Sequence, residues 1–381
     1  MNDTSAKPLD GVLVVSIEQA VAAPVCTARL GDAGARVIKV ERPEGDFARG
    51  YDAYVKGEAT YFVWANHGKE SVCLDLKLDE DRAVLTALLG RADVFVQNLS
   101  TGAVDRLGFG PAALRARYPR LITCSISGYG EDNAYRGMRA YDMLVQAESG
   151  LSSVSGNGRV GVSVADIVTG INAHGAIVEA LLLRDRTGQG SDLRLSLFDS
   201  MTDLMAVPLL QTAYSGKAPE YVGMRHPSIV PYGSFPTTGS DVVLSIQNER
   251  EWVRLCSDVL DVPDMATRPG FESNKARTEN REAVEAAISA VTRGFPQQTL
   301  IDHLRRARIA CGVLNSVQEV LTHPAYRTAS VELPSGEAVD LPAPATQCDW
   351  HGPALGRCPA LGEHSAAIRR EFGSAASGFE R

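Results

Sequence analysis

The first third of the chain alternates short apolar runs with stretches of helical spacing. The runs that predict buried strands lie at 12–17, 36–41, 71–76, 93–97 and 121–127. Segments 24–32 and 79–89 separate some of these runs and carry apolar residues at helical spacing. Strands that alternate with helices are typical of a mostly parallel, doubly wound sheet. The pattern therefore predicts an α/β domain.

The pattern changes after residue 130. A predicted helix at 141–148 is followed by a glycine-containing loop, a short strand at 162–165, and a long helix that ends at Gly188. A strand at 192–197 and a helix at 199–214 come next. Glycine and proline then recur up to residue 239, which predicts a domain boundary. Three segments result, 1–214, 215–324 and 325–381, and the second has the mixed pattern of a smaller α+β domain.

Composition restricts the partners and the location of the protein. The 381 residues include 38 Lys plus Arg and 46 Asp plus Glu, a net charge of −8, so we expect no nucleic acid and no membrane surface as partner. No segment resembles a membrane span, because the most apolar stretches, such as 176–183, fall well short of ~18–20 residues. The N-terminus lacks the apolar core of a signal peptide. Seven cysteines without a C-x-x-C pair favour reduced thiols and a cytoplasmic location.

Two short motifs are interpreted as structural. Gly156, Gly158 and Gly161 form a G-x-G-x-x-G pattern, but a serine-rich loop precedes it where a dinucleotide-binding fingerprint needs a strand. A cluster of potential zinc ligands near the C-terminus matches no standard finger spacing; its members are Cys348, His351, Cys358 and His364. We therefore predict no metal site and no permanently bound cofactor.

Asp166 is the residue that chemistry alone singles out. It stands between the predicted short strand and the long helix, where most aspartates cap the helix N-terminus. The helix dipole at the same place favours an ionised carboxylate, which is a usable nucleophile. Position alone favours the capping role and leaves the nucleophilic role open.

The chain resembles the class III CoA-transferases, also called the formyl-CoA transferase or carnitine-dehydratase-like family. The resemblance rests on ordered segments over nearly the whole chain, among them VIKVERPEGD, NHGKESVCLDL, DVFVQNLSTGAVDRLG, RAYDMLVQAESG, ADIVTG and LLLRDRTGQGS. It implies a Rossmann-like large domain, built from the N-terminal part and the C-terminal segment, and a smaller inserted α+β domain. It also implies that two subunits interlock as a homodimer.

The resemblance also implies a site and a reaction. Asp166 takes the place of the family's nucleophile, with Tyr141 and Asp142 in the same site. The reaction transfers CoA through an aspartyl anhydride and an aspartyl-CoA thioester. Acyl-CoA is then a substrate, and the residues expected to contact it are Ala20, Val21, Ala22, Arg42, Lys69, Asn98, Leu99, Arg106 and Arg139.

Departures from the family pattern indicate the subclass. Tyr141 stands where the racemase branch has a catalytic histidine, and GMRHPSIVPYG replaces the glycine-rich loop of formyl-CoA transferases. That segment is similar to relatives that handle small dicarboxylates, and Arg225 with His226 either binds the distal carboxylate or holds a loop.

We therefore predict an enzyme that transfers CoA from an acyl-CoA such as succinyl-CoA to a small carboxylic acid, for example itaconate, mesaconate or malate. The alternatives are an acyl-CoA isomerase (racemase-like, or an intramolecular CoA transferase) and a CoA-ester-binding protein without catalysis. Transfer needs a free acceptor acid, whereas racemisation exchanges a proton at the α-carbon.

Overall fold

The structure of the chain is a computed structural model that describes residues 6–350, 352 and 354–373; His351 lies outside the described residues. The chain divides into two compact units. The first takes in the described parts of 1–214 and 327–381, and the second spans 215–326.

A six-stranded sheet forms the centre of the first unit. Its strands are β1 (Leu13–Ile17), β2 (Arg36–Glu41), β3 (Lys69–Cys73), β4 (Val94–Gln97), β5 (Ile122–Ser127) and β6 (Asp192–Ser196). They pair in the order β3-β2-β1-β4-β5-β6, and every pair is parallel. The predicted α/β fold with a parallel central sheet is confirmed. The strand order reverses between β1 and β4, the point at which open α/β sheets bind ligands.

Helices cover both faces of this sheet. They are α1 (Ala22–Asp32), α2 (Thr60–Asn66), α3 (Asp79–Leu89), α4 (Ala103–Arg106), α5 (Pro111–Arg117), α6 (Asp142–Glu148), α7 (Leu151–Val154), α8 (Val164–Thr187), α9 (Leu197–Leu204), α10 (Ala206–Ser215) and, from the C-terminal segment, α16 (Ser365–Gly373). Successive strand residues point to opposite faces. Val14 packs in the core with α1 and α8, whereas Val15 packs in the core with α3 and α16.

The start of α8 differs from the prediction. No strand forms at 162–165, because α8 begins at Val164 and the Asp142 carboxylate accepts a hydrogen bond from the Ala165 amide at 2.9 Å. Asp166 is therefore the third residue of the helix and not its N-cap, which is Ser163. Gly188 ends the helix in the left-handed conformation, as predicted.

Helices α1 and α8 approach each other closely at Gly170. A Cβ atom on Gly170 would lie 2.6 Å from the Ala22 carbonyl oxygen and 3.0 Å from the Val25 side chain. Only glycine allows this crossing without a shift of the backbone. The contact brings the N-terminal half of α8 against the N-terminal turn of α1.

By length and composition, α8 is also a helix that could cross a membrane, with a mean hydropathy of 1.3 over its best window. This differs from the prediction that no segment resembles a membrane span, because α8 meets the length and hydropathy criteria as a whole helix although its apolar runs are short. Its buried residues pack in the α1-side core, and Arg184 pairs with Asp93 at 2.9 Å. Length and composition alone do not separate a spanning helix from the core helix of a soluble protein.

The second unit has its own sheet and core. Antiparallel strands β7 (Tyr232–Phe235), β8 (Val242–Ser245) and β9 (Ala310–Val313) pair in sequence order. Its helices are α11 (Glu249–Arg254), α12 (Asn274–Glu279), α13 (Arg281–Thr292), α14 (Gln297–Arg306) and α15 (Val317–Val320). Trp252, Ile288 and Leu300 are buried at its centre. In the first unit, β10 (Thr328–Glu332) and β11 (Ala338–Pro342) form a separate antiparallel pair.

Candidate active site

A cavity of about 630 Å³ opens at the carboxyl ends of β1, β4 and β5. The segments that follow these strands supply Ala20 and Val21, Asn98 to Thr101, and Ser127 with Gly128. Asp142 and Asp166 contribute from α6 and α8. The cavity therefore lies where the strand order reverses, and its size is typical of small-molecule sites, which range over about 300–1,000 Å³.

The turn between β1 and α1 contains no glycine and is held by side chains. Asn98 Oδ1 accepts a hydrogen bond from the Gln19 amide at 2.9 Å, and its Nδ2 donates to the Gln19 carbonyl at 2.8 Å. Ala20 has a left-handed φ of 62°, which costs an alanine about 1–2 kcal/mol, and its amide donates to Asp46 Oδ1 at 3.1 Å. These contacts position the N-terminus of α1 at the cavity, where its first amide groups lack intrahelical acceptors and can bind an anion.

A network of buried charges supports this turn. Lys39 Nζ binds Asp46 Oδ2 at 2.7 Å, and Lys69 Nζ binds Glu18 Oε1 at 2.6 Å. Asn66 Oδ1 accepts from both ammonium groups. All four charged side chains are fully buried and their charges balance, as buried ions require.

Lys69 therefore lies in the support of the turn and does not line the cavity. Burial, together with the neighbouring positive charge of Lys39, lowers the pKa of Lys69 to about 8 despite the Glu18 carboxylate. Burial also acts against the charged form of Lys39, but the carboxylates of Glu18 and Asp46 outweigh it and raise the pKa of Lys39. The two lysines thus respond oppositely to the same carboxylate-rich surroundings.

Asp166 lies in the first turn of α8, partly buried at the wall of the cavity. Burial and the negative charge of Asp142 raise the pKa of Asp166 to about 7. Asp142 is itself buried, with Oδ1 bound to the Ala165 amide and Oδ2 bound to Gln146 Nε2 at 2.8 Å. A partly desolvated carboxylate of raised pKa at a cavity wall is characteristic of a functional site.

Aromatic side chains form another wall of the cavity. Tyr51 packs edge-on against Tyr61 with ring centroids 5.9 Å apart, and Phe47 packs against Tyr51 at 5.7 Å. The Tyr61 hydroxyl and Ser163 Oγ share a hydrogen bond of 3.0 Å, which ties this wall to the start of α8. Burial and the carboxylates of Asp46 and Asp166 raise the pKa of Tyr51 to about 12, so its hydroxyl stays protonated.

The structure brings most of the predicted site residues to this one cavity. They are Ala20, Val21, Ala22, Asn98, Leu99, Arg139, Tyr141, Asp142 and Asp166. Arg42 and Arg106 are exposed outside its lining, and contact of either with CoA stays a prediction. The described part of the chain contains no group of three or more histidine, cysteine, aspartate or glutamate side chains placed to hold a metal ion.

Arg225 and His226 belong to the second unit. Arg225 Nε lies 3.1 Å from Glu285 Oε2, and the His226 ring stacks on Tyr232 with centroids 5.3 Å apart. These contacts engage both side chains within the unit. Binding of a substrate carboxylate by this pair stays a prediction.

The sequence analysis missed several residues that line the cavity. Arg159, in the loop between α7 and α8, has its Nε 3.8 Å from Asp142 Oδ2. Its only signal in the sequence is the G-x-G-x-x-G pattern, which predicts a flexible loop. Tyr61 lies on α2, which is too short to show helical periodicity, and Tyr51 follows a 3-10 turn at Phe47–Gly50.

Comparisons with known proteins place this geometry in a family. The chain is 35% identical over 374 residues to the acetyl-CoA:oxalate CoA-transferase of Acetobacter aceti, covering 96% of each protein. It is 32% identical over 383 residues to the succinate–glutarate CoA-transferase of Agrobacterium fabrum, again covering 96% of each. A CAIB/BAIF family protein from Brucella suis has the same fold, with a TM-score of 0.82, 33% identity, and coverage of 96% of this chain and 99% of the other. The profile of CoA-transferase family III matches residues 9–365, and the chain belongs to that family of enzymes.

Proposed function

We propose that the enzyme transfers CoA between an acyl-CoA and a small dicarboxylic acid, with Asp166 as nucleophile. The observation that carries the proposal is the position of Asp166, partly buried at the wall of a cavity that the N-terminal turn of α1 also lines. The names of the two relatives contain oxalate, succinate and glutarate, which are all dicarboxylates. Succinyl-CoA is the donor we favour, and itaconate, mesaconate, malate, glutarate and oxalate are the acceptors to test.

The reaction proceeds in two equivalent halves. An Asp166 oxygen forms a bond to the thioester carbonyl carbon, the C–S bond breaks, and CoA leaves as a thiolate, giving a mixed anhydride. The thiolate then attacks the aspartyl carbonyl carbon, which releases the donor acid and leaves an aspartyl-CoA thioester. The carboxylate of the acceptor repeats the first step, and the thiolate takes up the acceptor's acyl group. Asp166 is then a free carboxylate again.

The surroundings of Asp166 suit these steps. Aromatic rings of Tyr51 and Tyr61 restrict water at the wall of the cavity, and an anhydride must be protected from hydrolysis. The first amides of α1, together with Arg139, offer positive charge for CoA phosphates in a chain of net charge −8. Tyr141 and Asp142 complete the site beside the nucleophile.

Racemisation of an acyl-CoA is the alternative that the lining tests best. Two-base epimerisation needs an acid–base group on each side of the α-carbon. Among the described residues that line the cavity there is no histidine. This supports transfer over racemisation.

We also propose that the enzyme is a cytoplasmic homodimer. Large apolar side chains are exposed along neighbouring helices of the first unit, and a second copy would cover them; they are Met143, Leu144, Ile171, Leu182, Leu183, Leu204, Val207, Leu209 and Leu210. All seven cysteines are free, which agrees with a reducing compartment.

Mass spectrometry tests the proposed transfer. The enzyme is mixed with succinyl-CoA and each acid in turn, and a new acyl-CoA is expected with at least one of them. Asp166→Asn should reduce exchange to background, while Asp132→Asn, at an exposed position, should not. With an ¹⁸O-labelled acceptor acid, one label should appear in the Asp166 peptide. Exchange without label at Asp166 would contradict the anhydride route, and no exchange with any acid would contradict the transferase assignment.

A further inference from the structure

Arg159 is a cation at the cavity whose role the proposed reaction leaves open. It lies in the loop that contains Gly156, Gly158 and Gly161, and its side chain is 43% exposed. Its Nε is 3.8 Å from Asp142 Oδ2, and the other oxygen of that carboxylate binds the amide next to Asp166. Arg159 and Asp166 therefore share Asp142 as a neighbour and line the same cavity.

The loop is anchored despite its glycines. The Gln146 side chain is fully buried; its Oε1 accepts a hydrogen bond from the Val160 amide at 2.9 Å and its Nε2 donates to the Val162 carbonyl at 3.2 Å. The same Nε2 also donates to Asp142 at 2.8 Å. One buried amide thus sets the backbone beside Arg159 relative to Asp142, so that the guanidinium is held near the cavity wall.

Among the described residues, the Arg159 guanidinium keeps its hydrogen-bond donors available to a ligand. Both Asp142 oxygens already accept hydrogen bonds from other groups, and 3.8 Å exceeds hydrogen-bond distance. In the part of the chain that the structure describes, no acceptor is hydrogen-bonded to the Arg159 side chain. Planar guanidinium groups bind carboxylates through two parallel hydrogen bonds. The cavity that Asp166 lines thus also contains a guanidinium able to bind a carboxylate.

The geometry points to Arg159 as the residue that binds the distal carboxylate of a dicarboxylic acyl group held at Asp166. This inference rests on the proposed function and specifies its substrate class. Arg225, the other candidate, is paired with Glu285 at 3.1 Å, whereas Arg159 makes only a longer ion pair. Arg139 lines the same cavity but is an expected contact of CoA. Binding at Arg159 would select dicarboxylates over monocarboxylates of equal chain length.

The test compares succinyl-CoA with butyryl-CoA, which has a methyl group in place of the distal carboxylate. Arg159→Gln should lower kcat/KM for succinyl-CoA by about 10- to 100-fold, the usual effect of losing a charged hydrogen-bonded contact. Activity with butyryl-CoA, however small, should change less than about twofold. Arg159→Lys should recover part of the loss, and Arg186→Gln, at the exposed far end of α8, should match the wild type.

Calorimetry provides a measurement that is independent of turnover. With CoA bound to the Asp166→Asn enzyme, adding Arg159→Gln should weaken the binding of free succinate by about 10-fold or more and leave butyrate unaffected. Melting curves identify any variant that fails to fold. If Arg159→Gln fails to fold, Arg159→Lys takes its place in the comparison of succinate with butyrate.

Equal losses for succinyl-CoA and butyryl-CoA, or no loss for either, would overturn the inference while leaving the transferase assignment intact. Loss of dicarboxylate preference in Arg225→Gln with an unaffected Arg159→Gln would also overturn it. A wild-type enzyme that exchanges CoA with no acid would overturn the proposed function and, with it, this inference.

Discussion

Two opposing influences act on Asp166. Its place in the first turn of α8 exposes it to the positive end of the helix dipole, which favours the ionised form. Burial and the neighbouring Asp142 favour the protonated form and raise the pKa to about 7. A carboxylate of raised pKa is more basic when it does ionise and so is a stronger nucleophile at neutral pH.

The pH dependence of activity follows from this pKa. We expect kcat/KM to rise with pH and to level off above an apparent pKa near 7, because in the proposed reaction only the ionised Asp166 attacks. Asp142→Asn removes the neighbouring charge but keeps an oxygen that can accept from Ala165. In initial-rate measurements, the acidic limb of the pH–activity profile of this variant should therefore move to lower pH. A limb that stays in place would show that Asp142 does not set the ionisation of Asp166.

The same ionisation affects stability. The pKa of Asp166 is about 7 in the folded chain and about 3.9 in the unfolded chain, so between these values the folded state binds more protons and stability falls as pH rises. Asp166→Asn removes this loss. The gain in free energy of unfolding of this variant should be small at pH 4 and on the order of 4 kcal/mol at pH 8.

Urea unfolding at the two pH values measures this difference. The exposed Asp132→Asn serves as the control and should show no such trend. A constant difference between wild type and Asp166→Asn from pH 4 to pH 8 would contradict the raised pKa.

Elements of the parallel sheet were predictable because strands covered on both faces are continuous apolar runs, as at Val94–Gln97. Short elements such as Thr60–Asn66 and Ala310–Val313 were not predicted, because they are too brief or too exposed to show a hydrophobic periodicity. The predicted helix at 199–214 is divided at Met205 into α9 and α10.

The contacts that support the turn between β1 and α1 could not be predicted from any local sequence pattern. They come from Asn98 and Asp46, which are 79 and 26 residues from their partners Gln19 and Ala20. Arg159 likewise reaches the cavity through a contact of its loop with Gln146 on α6. Sequence similarity could indicate Asp166 as the candidate nucleophile, but side-chain contacts between distant segments required the structure.

The crossing of α1 and α8 gives a prediction at the level of elements. Gly170→Ala would place a Cβ 2.6 Å from the Ala22 carbonyl oxygen and force the helices apart, at a cost of about 1–3 kcal/mol. The shift also displaces the turn between β1 and α1, so the dissociation constant for CoA should rise.

Gly175→Ala is the matched control on the same helix, since no atom outside the local backbone lies within 4 Å of its Cβ position. It should be neutral or slightly stabilising. Thermal melting and CoA titration of the two variants check both expectations. Equal behaviour of the two would mean that the helix crossing tolerates a methyl group.

At the scale of the whole molecule, the exposed apolar positions on α8 and α10 form the surface that we propose a second copy covers. Leu182 and Leu210 are 57% and 56% exposed. We expect a solution mass of twice the 40.7 kDa of one chain by light scattering. Leu182→Glu combined with Leu210→Glu should reduce this mass or precipitate the protein, whereas Leu78→Glu, which is 47% exposed at the start of α3, should not. A monomeric wild type would contradict the proposed homodimer.

The return of the C-terminal segment has a consequence for biosynthesis. Ile368 and Phe372 of α16 pack in one core with Leu85 and Leu88 of α3, and Arg36 at the start of β2 pairs with Glu371 at 2.7 Å. At about 5–20 residues per second, a ribosome needs roughly 15–55 s to pass from α3 to α16. During that interval the apolar side chains that α16 later covers stay exposed on the nascent sheet. The larger unit therefore completes its core only late in translation.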